Sequence, residues 1–135
     1  MDNKTLTELN ALLNSGEVNL LKDRLEVYLT DGDLDARFIN TRFSIDNTET
    51  GECFDRRVLK ELQTLSELHY PEAMFELAYK YKYGIDIEKN IKKSDDLMLR
   101  AVILGHLRAR EIMAIELEER TGQYGLFKYL QSIGS

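Results

Sequence analysis

Apolar residues recur along this chain with the spacing of amphipathic helices. Near the start, leucines at i, i+3, i+6 and i+7 define one helical face, namely Leu6, Leu9, Leu12 and Leu13. A polar break at 14–16 ends that run, and a turn at 30–33 ends the stripe that follows, formed by Leu20, Leu21, Leu25, Tyr28 and Leu29. These two stripes predict a helical pair at the start of the chain.

The same pattern continues to the other end and predicts about eight short helices. The remaining six are a third helix over 34–44, a fourth beginning at Val58, a fifth beginning at Pro71, and three more over 91–104, 108–120 and 124–130. The segment 46–53 is polar and rich in turn formers, so it predicts a loop. No strand is required, and the predicted fold class is all-α.

The stretch 70–84, YPEAMFELAYKYKYG, carries two conflicting signals. Its last residues alternate aromatic and lysine, which is typical of a β-strand or of aromatic platforms for nucleic acid, whereas EAMFELA is rich in helix formers. Wound as a helix, the stretch aligns Ala73, Leu77, Tyr81 and Gly84 on one stripe and Phe75, Tyr79 and Tyr83 on another. We therefore predict a helix, with Tyr81 in the core.

An internal repeat emerges when three alanines are aligned. Ala36, Ala73 and Ala109 lie 37 and 36 residues apart. The positions 8, 11 and 15 residues before each alanine are nearly all apolar or aromatic: Tyr28, Leu25 and Leu21; Leu65, Leu62 and Val58; Ala101, Met98 and Ser94. A small residue at a fixed point with apolar residues upstream in register is what stacked helical hairpins need, because each hairpin must be covered by its neighbour.

The best of these units resembles the Sel-one-like repeat family, which is related to the tetratricopeptide repeats. The family's unit has the form A-x-x-x-L-G-x-x-Y-x-x-G, followed by a second helix and G-x-x-x-A. The unit that begins at Ala73 matches this form at Leu77, Tyr81, Gly84, Ala101, Gly105 and Ala109, with Ala78 where the family prefers glycine. The unit at Ala36 is degenerate, with Asn40 and Asn47 at the leucine and glycine positions, as is the unit at Ala109, with Met113, Leu117 and Arg120 at the leucine, tyrosine and glycine positions.

The resemblance implies a right-handed α-solenoid of stacked antiparallel helical hairpins. We expect one domain over 1–135, with a helical pair at 1–33 and repeat units at 34–70, 71–106 and 107–133. In such solenoids the first helix of each hairpin lines a concave, protein-binding groove. The groove positions that the resemblance implies are Asp35, Phe38, Arg42, Ile45 and Asp46; Glu72, Phe75, Tyr79, Lys82 and Tyr83; and Arg108, Glu111, Ile115, Glu118 and Glu119. The alternative is that Phe75 and Tyr79 simply pack on the next hairpin.

Composition and charge narrow the class of partner. Hydrophobic residues make up 43% of the chain and charged residues 31%, which is ordinary for a globular protein. The formal net charge is −6, with 24 acidic and 18 basic residues, so nucleic acid is disfavoured and a basic protein partner is favoured. With one cysteine, no secretory pattern at the start and no long apolar run, we expect a cytoplasmic protein that neither binds nor spans a membrane.

Candidate chemical motifs fail on their residue types. The segment 31–35 begins like a calcium loop, but Ala36 and Arg42 stand where glycine and a bidentate glutamate are needed, so a capped helix start explains it better. His69 and His106 have no ligand partners at helical spacing, and Cys53 has no base beside it. We therefore expect no metal, no cofactor and no catalysis.

Three functional hypotheses follow. The first is a bacterial immunity or inhibitor protein that occludes a basic toxin such as a nuclease, because the chain is small, acidic and without catalytic motifs. The second is an adaptor or regulatory scaffold that holds a peptide in the groove. The third is an enzyme of unrecognised type that would depend on Cys53 or a histidine. Self-association is possible in each case but is not predicted.

Overall fold

The computed structural model describes residues 1–121, which form seven α-helices and contain no strand. The helices are α1 (Asn3–Asn14), α2 (Val18–Thr30), α3 (Leu34–Ile39), α4 (Gly51–Glu67), α5 (Pro71–Tyr83), α6 (Ile91–Ile103) and α7 (Leu107–Thr121). The all-α prediction is confirmed, and so is the helical interpretation of 70–84. The helix predicted over 124–130 and the end of the repeat 107–133 lie outside the described residues.

The chain divides into two compact units, Met1–Leu65 and Ser66–Ser135. In unit 1, α1 packs against α2 and α2 against α3. These helices and the segment after α3 enclose a core of buried aliphatic and aromatic residues, namely Leu9, Leu21, Leu25, Ala36, Ile39 and Phe43. The division between the units falls inside the predicted repeat 34–70.

In unit 2, α5 packs against α6 and α6 against α7. The Ser94 hydroxyl, in the first turn of α6, donates to the Ala78 carbonyl of α5 at 2.7 Å, and the Asn90 amide donates to the Tyr81 carbonyl at 2.9 Å. The start of α6 therefore lies beside the second half of α5, so the two helices are antiparallel. Sequential packing of this kind within each unit is consistent with a solenoid-like arrangement.

The three repeat alanines mark equivalent turns in the structure. Ala36, Ala73 and Ala109 are each fully buried, and the residue four positions before each has a positive φ: 75° at Gly32, 63° at His69 and 89° at Gly105. The left-handed conformation ends one helix and starts the next, and glycine adopts it without strain. His69 thus occupies a position that is glycine in the other two turns.

Two boundaries in unit 1 differ from the prediction. The third helix, predicted over 34–44, ends at Ile39, and its C-cap is Asn40. The fourth begins at Gly51 rather than Val58, so the predicted loop 46–53 is wrong at its end. There Thr50 acts as an N-cap, because its hydroxyl accepts a hydrogen bond from the Cys53 amide at 3.1 Å.

Candidate protein-binding surface

Helix α5 carries five predicted groove residues, and three of them form a stripe of aromatic rings in tilted contact. The Phe75 and Tyr79 centroids are 5.6 Å apart, and those of Tyr79 and Tyr83 are 5.4 Å apart. Exposure rises along the stripe, from 7% at Phe75 to 38% at Tyr79 and 57% at Tyr83. The inner end is therefore an anchor in the core, and the outer end is an aromatic surface in contact with solvent.

The other stripe of α5 belongs to the core of unit 2. Ala73, Leu77 and Ala78 are buried, and Met74 joins Phe75 in the cluster with Met98 and Ala109. Tyr81, predicted in the core, is only half-buried, and the Lys93 ammonium lies 5.5 Å from its ring centroid. Gly84 ends the helix with φ 65°, as the residue type at that position predicts.

Phe75 is held in place by His106, the residue that precedes α7. The two rings stack with centroids 4.6 Å apart and an interplanar angle of 19°. Phe75 is thus buried against the turn that precedes α7. Arg108 lies above the same ring, with its guanidinium carbon 5.9 Å from the centroid.

His106 has two defined hydrogen-bond roles. Its Nδ1 accepts from the Ala109 amide at 3.0 Å, so it caps α7. An Nδ1 that accepts must carry a lone pair, so the hydrogen of the neutral ring is on Nε2, which lies 2.6 Å from Glu72 Oε2 and donates to it. Glu72, a predicted partner-binding residue, is thus engaged within the unit.

Lys82 is engaged in the same way at the other end of α5. Its ammonium lies 2.7 Å from Glu116 Oε1 of α7, and this hydrogen bond raises the Lys82 pKa above its usual value. Because the starts of α5 and α7 meet at Glu72–His106 and their later turns meet at Lys82–Glu116, the two helices run parallel. First helices of neighbouring hairpins are expected to lie side by side in this way.

The remaining predicted residues of unit 2 differ in exposure. Ile115 is 44% exposed, and the side chains of Glu111 and Glu119 are exposed as well, whereas Glu118 is half-buried. An open cavity of about 350 Å³ lies beside the aromatic stripe, lined by Phe75, Glu76, Tyr79, Lys80, Ile85 and Arg108. Tyr79 is the residue that belongs to both the cavity and the exposed stripe.

The predicted groove residues of unit 1 are Asp35, Phe38, Arg42, Ile45 and Asp46, of which Ile45 is exposed. Phe38 is buried, and the Arg42 guanidinium carbon lies 4.6 Å from its ring centroid. Asp46 Oδ1 accepts from both the amide and the hydroxyl of Thr48, at 2.8 and 2.6 Å, and these bonds lower the Asp46 pKa. Asp35 is half-buried in the first turn of α3.

One polar cluster of unit 1 was not anticipated from the sequence. Arg57 of α4 donates to the carbonyls of Asn40 and Phe43, at 2.9 and 2.8 Å, and to both carboxylate oxygens of Glu49, at 2.8 and 3.2 Å. The Arg57 hydrogen bond lowers the Glu49 pKa. The only sequence signal for this cluster was an arginine between a predicted polar loop and the predicted fourth helix, which does not specify partners.

Two residues considered as catalytic or metal-binding candidates lie exposed at the surface. Cys53 is exposed near the start of α4, and His69 is exposed in the turn before α5. Among residues 1–121, no three histidine, cysteine, aspartate or glutamate side chains come together in a way that could hold a metal ion. Over the same residues, no helix has the length and apolarity to cross a bilayer.

Comparison of the chain with protein-family models, with curated proteins and with solved structures gives no match.

Proposed function

We propose that this chain is a non-catalytic, protein-binding helical-repeat module that occludes its partner, and specifically an acidic inhibitor of a basic protein, such as the immunity partner of a nuclease toxin. The observation that carries this is the aromatic stripe of α5, where two solvent-exposed tyrosines continue from a phenylalanine fixed in the core. Tyrosines of this kind supply large contact area with little loss of side-chain entropy and are common energetic anchors of interfaces.

The charge of the chain supports a basic partner. The formal net charge is −6, and the exposed carboxylates Glu111 and Glu119 lie on α7, the helix that runs beside the aromatic stripe. A net negative charge, with exposed carboxylates on the helix beside the aromatic stripe, accelerates association with a basic protein and disfavours acidic competitors. The resemblance of the unit at Ala73 to Sel-one-like repeats, whose groove binds other proteins, agrees with this proposal.

Binding to the basic, toxin-like product of the adjacent gene tests the proposal. We expect a stable one-to-one complex that inhibits the toxin, and the double substitution Tyr79→Ala and Tyr83→Ala should weaken it by about 100-fold or more. The matched control is Leu99→Ala with Ile103→Ala, two exposed apolar residues of α6, which should leave affinity unchanged. If no complex forms, the immunity assignment is wrong; if the two double variants bind alike, the tyrosine surface is wrong.

A second candidate is an adaptor or scaffold that holds a peptide, and the cavity beside Tyr79 favours it. The cavity is open, about 350 Å³ in volume, and combines the Phe75 ring with charged side chains at Lys80 and Arg108. A peptide array should then yield ligands whose binding disappears with Tyr79→Ala and survives Leu99→Ala. Peptide binding that is insensitive to Tyr79→Ala would exclude this site.

A further inference from the structure

Besides the cavity of unit 2, the structure has a cleft in unit 1, on the side of α2 that faces the segment after α3. This cleft has a volume of about 500 Å³. Its apolar walls are Leu29, Phe43 and Ile45, and two carboxylates of α2, those of Asp23 and Glu26, stand on its lining. The tyrosines of α5 contribute nothing to it, so it is independent of the surface discussed above.

The two carboxylates have no partners within the described part of the chain. Neither the Asp23 nor the Glu26 side chain makes a hydrogen bond or ion pair there, and both residues are exposed. The third charged residue of the lining is Lys22, whose ammonium donates to the Ile45 carbonyl and whose positive charge acts on Asp46, outside the lining. The cleft therefore offers two unpaired negative charges next to an apolar wall.

The wall opposite α2 is fixed rather than adaptable. The carbonyls of Asn40 and Phe43 both accept from the Arg57 guanidinium, which is itself held by Glu49. Phe43 is buried in the core of unit 1, and the Lys22–Ile45 hydrogen bond ties the end of the segment to α2. A preformed cleft spends little free energy on ordering when it binds a ligand.

The combination of an apolar wall and unpaired carboxylates selects one kind of occupant. Lysine and arginine carry an aliphatic stem that packs on apolar surface and a cationic head that stays near water or an anion. We propose that this cleft is a docking site for one lysine or arginine side chain of a basic polypeptide. The stem lies along Leu29, Phe43 and Ile45, and the head lies between Asp23 and Glu26.

Short capped peptides test this directly, with affinity measured by amide chemical-shift titration of the full chain. Acetyl-Gly-Lys-Gly-amide should shift amides over 22–30 and 40–45. The same peptide with 2,4-diaminobutyrate in place of lysine has equal charge but a stem two methylenes shorter, so it should bind about fivefold more weakly or worse. Equal affinity for the two peptides would show that only charge is recognised and would overturn the proposal.

Two pairs of variants separate the cleft from general electrostatic attraction. The double variant Asp23→Asn with Glu26→Gln should reduce the affinity for the lysine peptide at least tenfold. The control, Glu8→Gln with Asp31→Asn, removes the same charge from exposed residues of unit 1 outside the cleft and should change that affinity less than twofold. Ile45→Ser should weaken binding of the lysine peptide, and Val27→Ser, an exposed position of α2 outside the lining, should not. Equal losses within either pair would overturn the assignment.

Discussion

The same position of the predicted repeat is filled by a short helix in unit 1 and by a full one in unit 2. Helix α3 has 6 residues and α5 has 13, although both begin just before a buried repeat alanine. Four residues after that alanine, α5 has Leu77, which is buried, whereas α3 has Asn40, which is the C-cap. At this one position, the longer helix α5 has a buried leucine and the shorter helix α3 has its polar C-cap.

Different interactions stabilise α5 in unit 2 and the segment that follows α3 in unit 1. In unit 2, α5 continues because Leu77, Ala78 and Met74 bury apolar surface against neighbouring helices. In unit 1, the chain leaves the helix after Ile39 although Phe43 is buried in the core, and the carbonyls of Asn40 and Phe43 accept from the Arg57 guanidinium instead. The comparison teaches that the shorter helix has a polar residue at the position equivalent to Leu77, and that a polar anchor fixes the irregular segment that follows it.

Substitution of Leu77 by the residue found in unit 1 should have the largest effect. Leu77→Asn removes a buried side chain and introduces an amide without hydrogen-bond partners, at a combined cost of about 4 kcal/mol in the free energy of unfolding. It should also shorten α5, seen as lost hydrogen-exchange protection in α5 and α6. The control Leu99→Asn changes an exposed leucine of α6. Similar stabilities for the two variants would refute the role given to this position.

Loss of the polar anchor should be the second largest effect. Arg57→Ala leaves two carbonyls and the Glu49 carboxylate without their donor, so we expect a loss of about 3 kcal/mol, seen in urea unfolding and as faster exchange of amides in α2 and α3. Arg56→Ala is the matched control, because Arg56 is exposed and pairs with Glu52 four residues earlier, an interaction of about 0.5 kcal/mol or less. If the two variants are equally stable, Arg57 does not fix this segment.

These two positions also show how far sequence patterns predict the fold. Helical periodicity is enough to identify the helices, and the aligned alanines identify positions that are fully buried at Ala36, Ala73 and Ala109. The pattern does not locate the end of α3, because Phe43 is apolar and extends the apparent stripe although its backbone has left the helix. Nor does it show that α4 begins at Gly51, since polar first turns look like loops.

The candidate surface is predicted less completely, for a related reason. Positions counted from the repeat alanine bring Phe75, Tyr79 and Tyr83 onto one stripe, and the structure has them in contact. The same counting cannot tell that Glu72 and Lys82 are taken by His106 and Glu116, because those contacts depend on the offset between neighbouring helices. For charged residues at groove positions, the sequence pattern therefore gives the location on the helix but not whether the side chain is free to bind a partner.

The turns before the repeat alanines offer a smaller, reciprocal test. Gly105→Ala should destabilise by about 1 kcal/mol, because φ is 89° and an added Cβ meets nothing within 4 Å, so only backbone strain acts. His69→Gly should relieve that strain at the equivalent turn and stabilise by up to about 1 kcal/mol. Gly51→Ala, in the first turn of α4 at negative φ with open space around its Cα, serves as control and should be neutral or slightly stabilising. Destabilisation by His69→Gly would show that the histidine side chain contributes more than the strain.

Acid pH should weaken unit 1 through Glu49, and this is the smallest of the expected effects. The Arg57 hydrogen bond lowers the Glu49 pKa in the folded state below its usual value, so the folded state binds this proton less readily than the unfolded chain does. The stability contributed by the carboxylate is therefore complete above the unfolded-state pKa and is lost as pH falls through the folded-state value, roughly from pH 5 downward.

Glu49→Gln removes the titrating group. The exchange rates of unit 1 amides, corrected for intrinsic pH dependence, should therefore change less steeply over that pH range than in the unsubstituted chain. Asp46, whose pKa is also lowered, remains in this variant and leaves a residual slope. Glu52→Gln, which removes an exposed carboxylate paired with Arg56, should keep the full slope. A Glu49→Gln profile parallel to that of the unsubstituted chain would mean that Arg57 fixes the 40–45 segment through the two carbonyls alone, and that the carboxylate is not needed to hold the guanidinium in place.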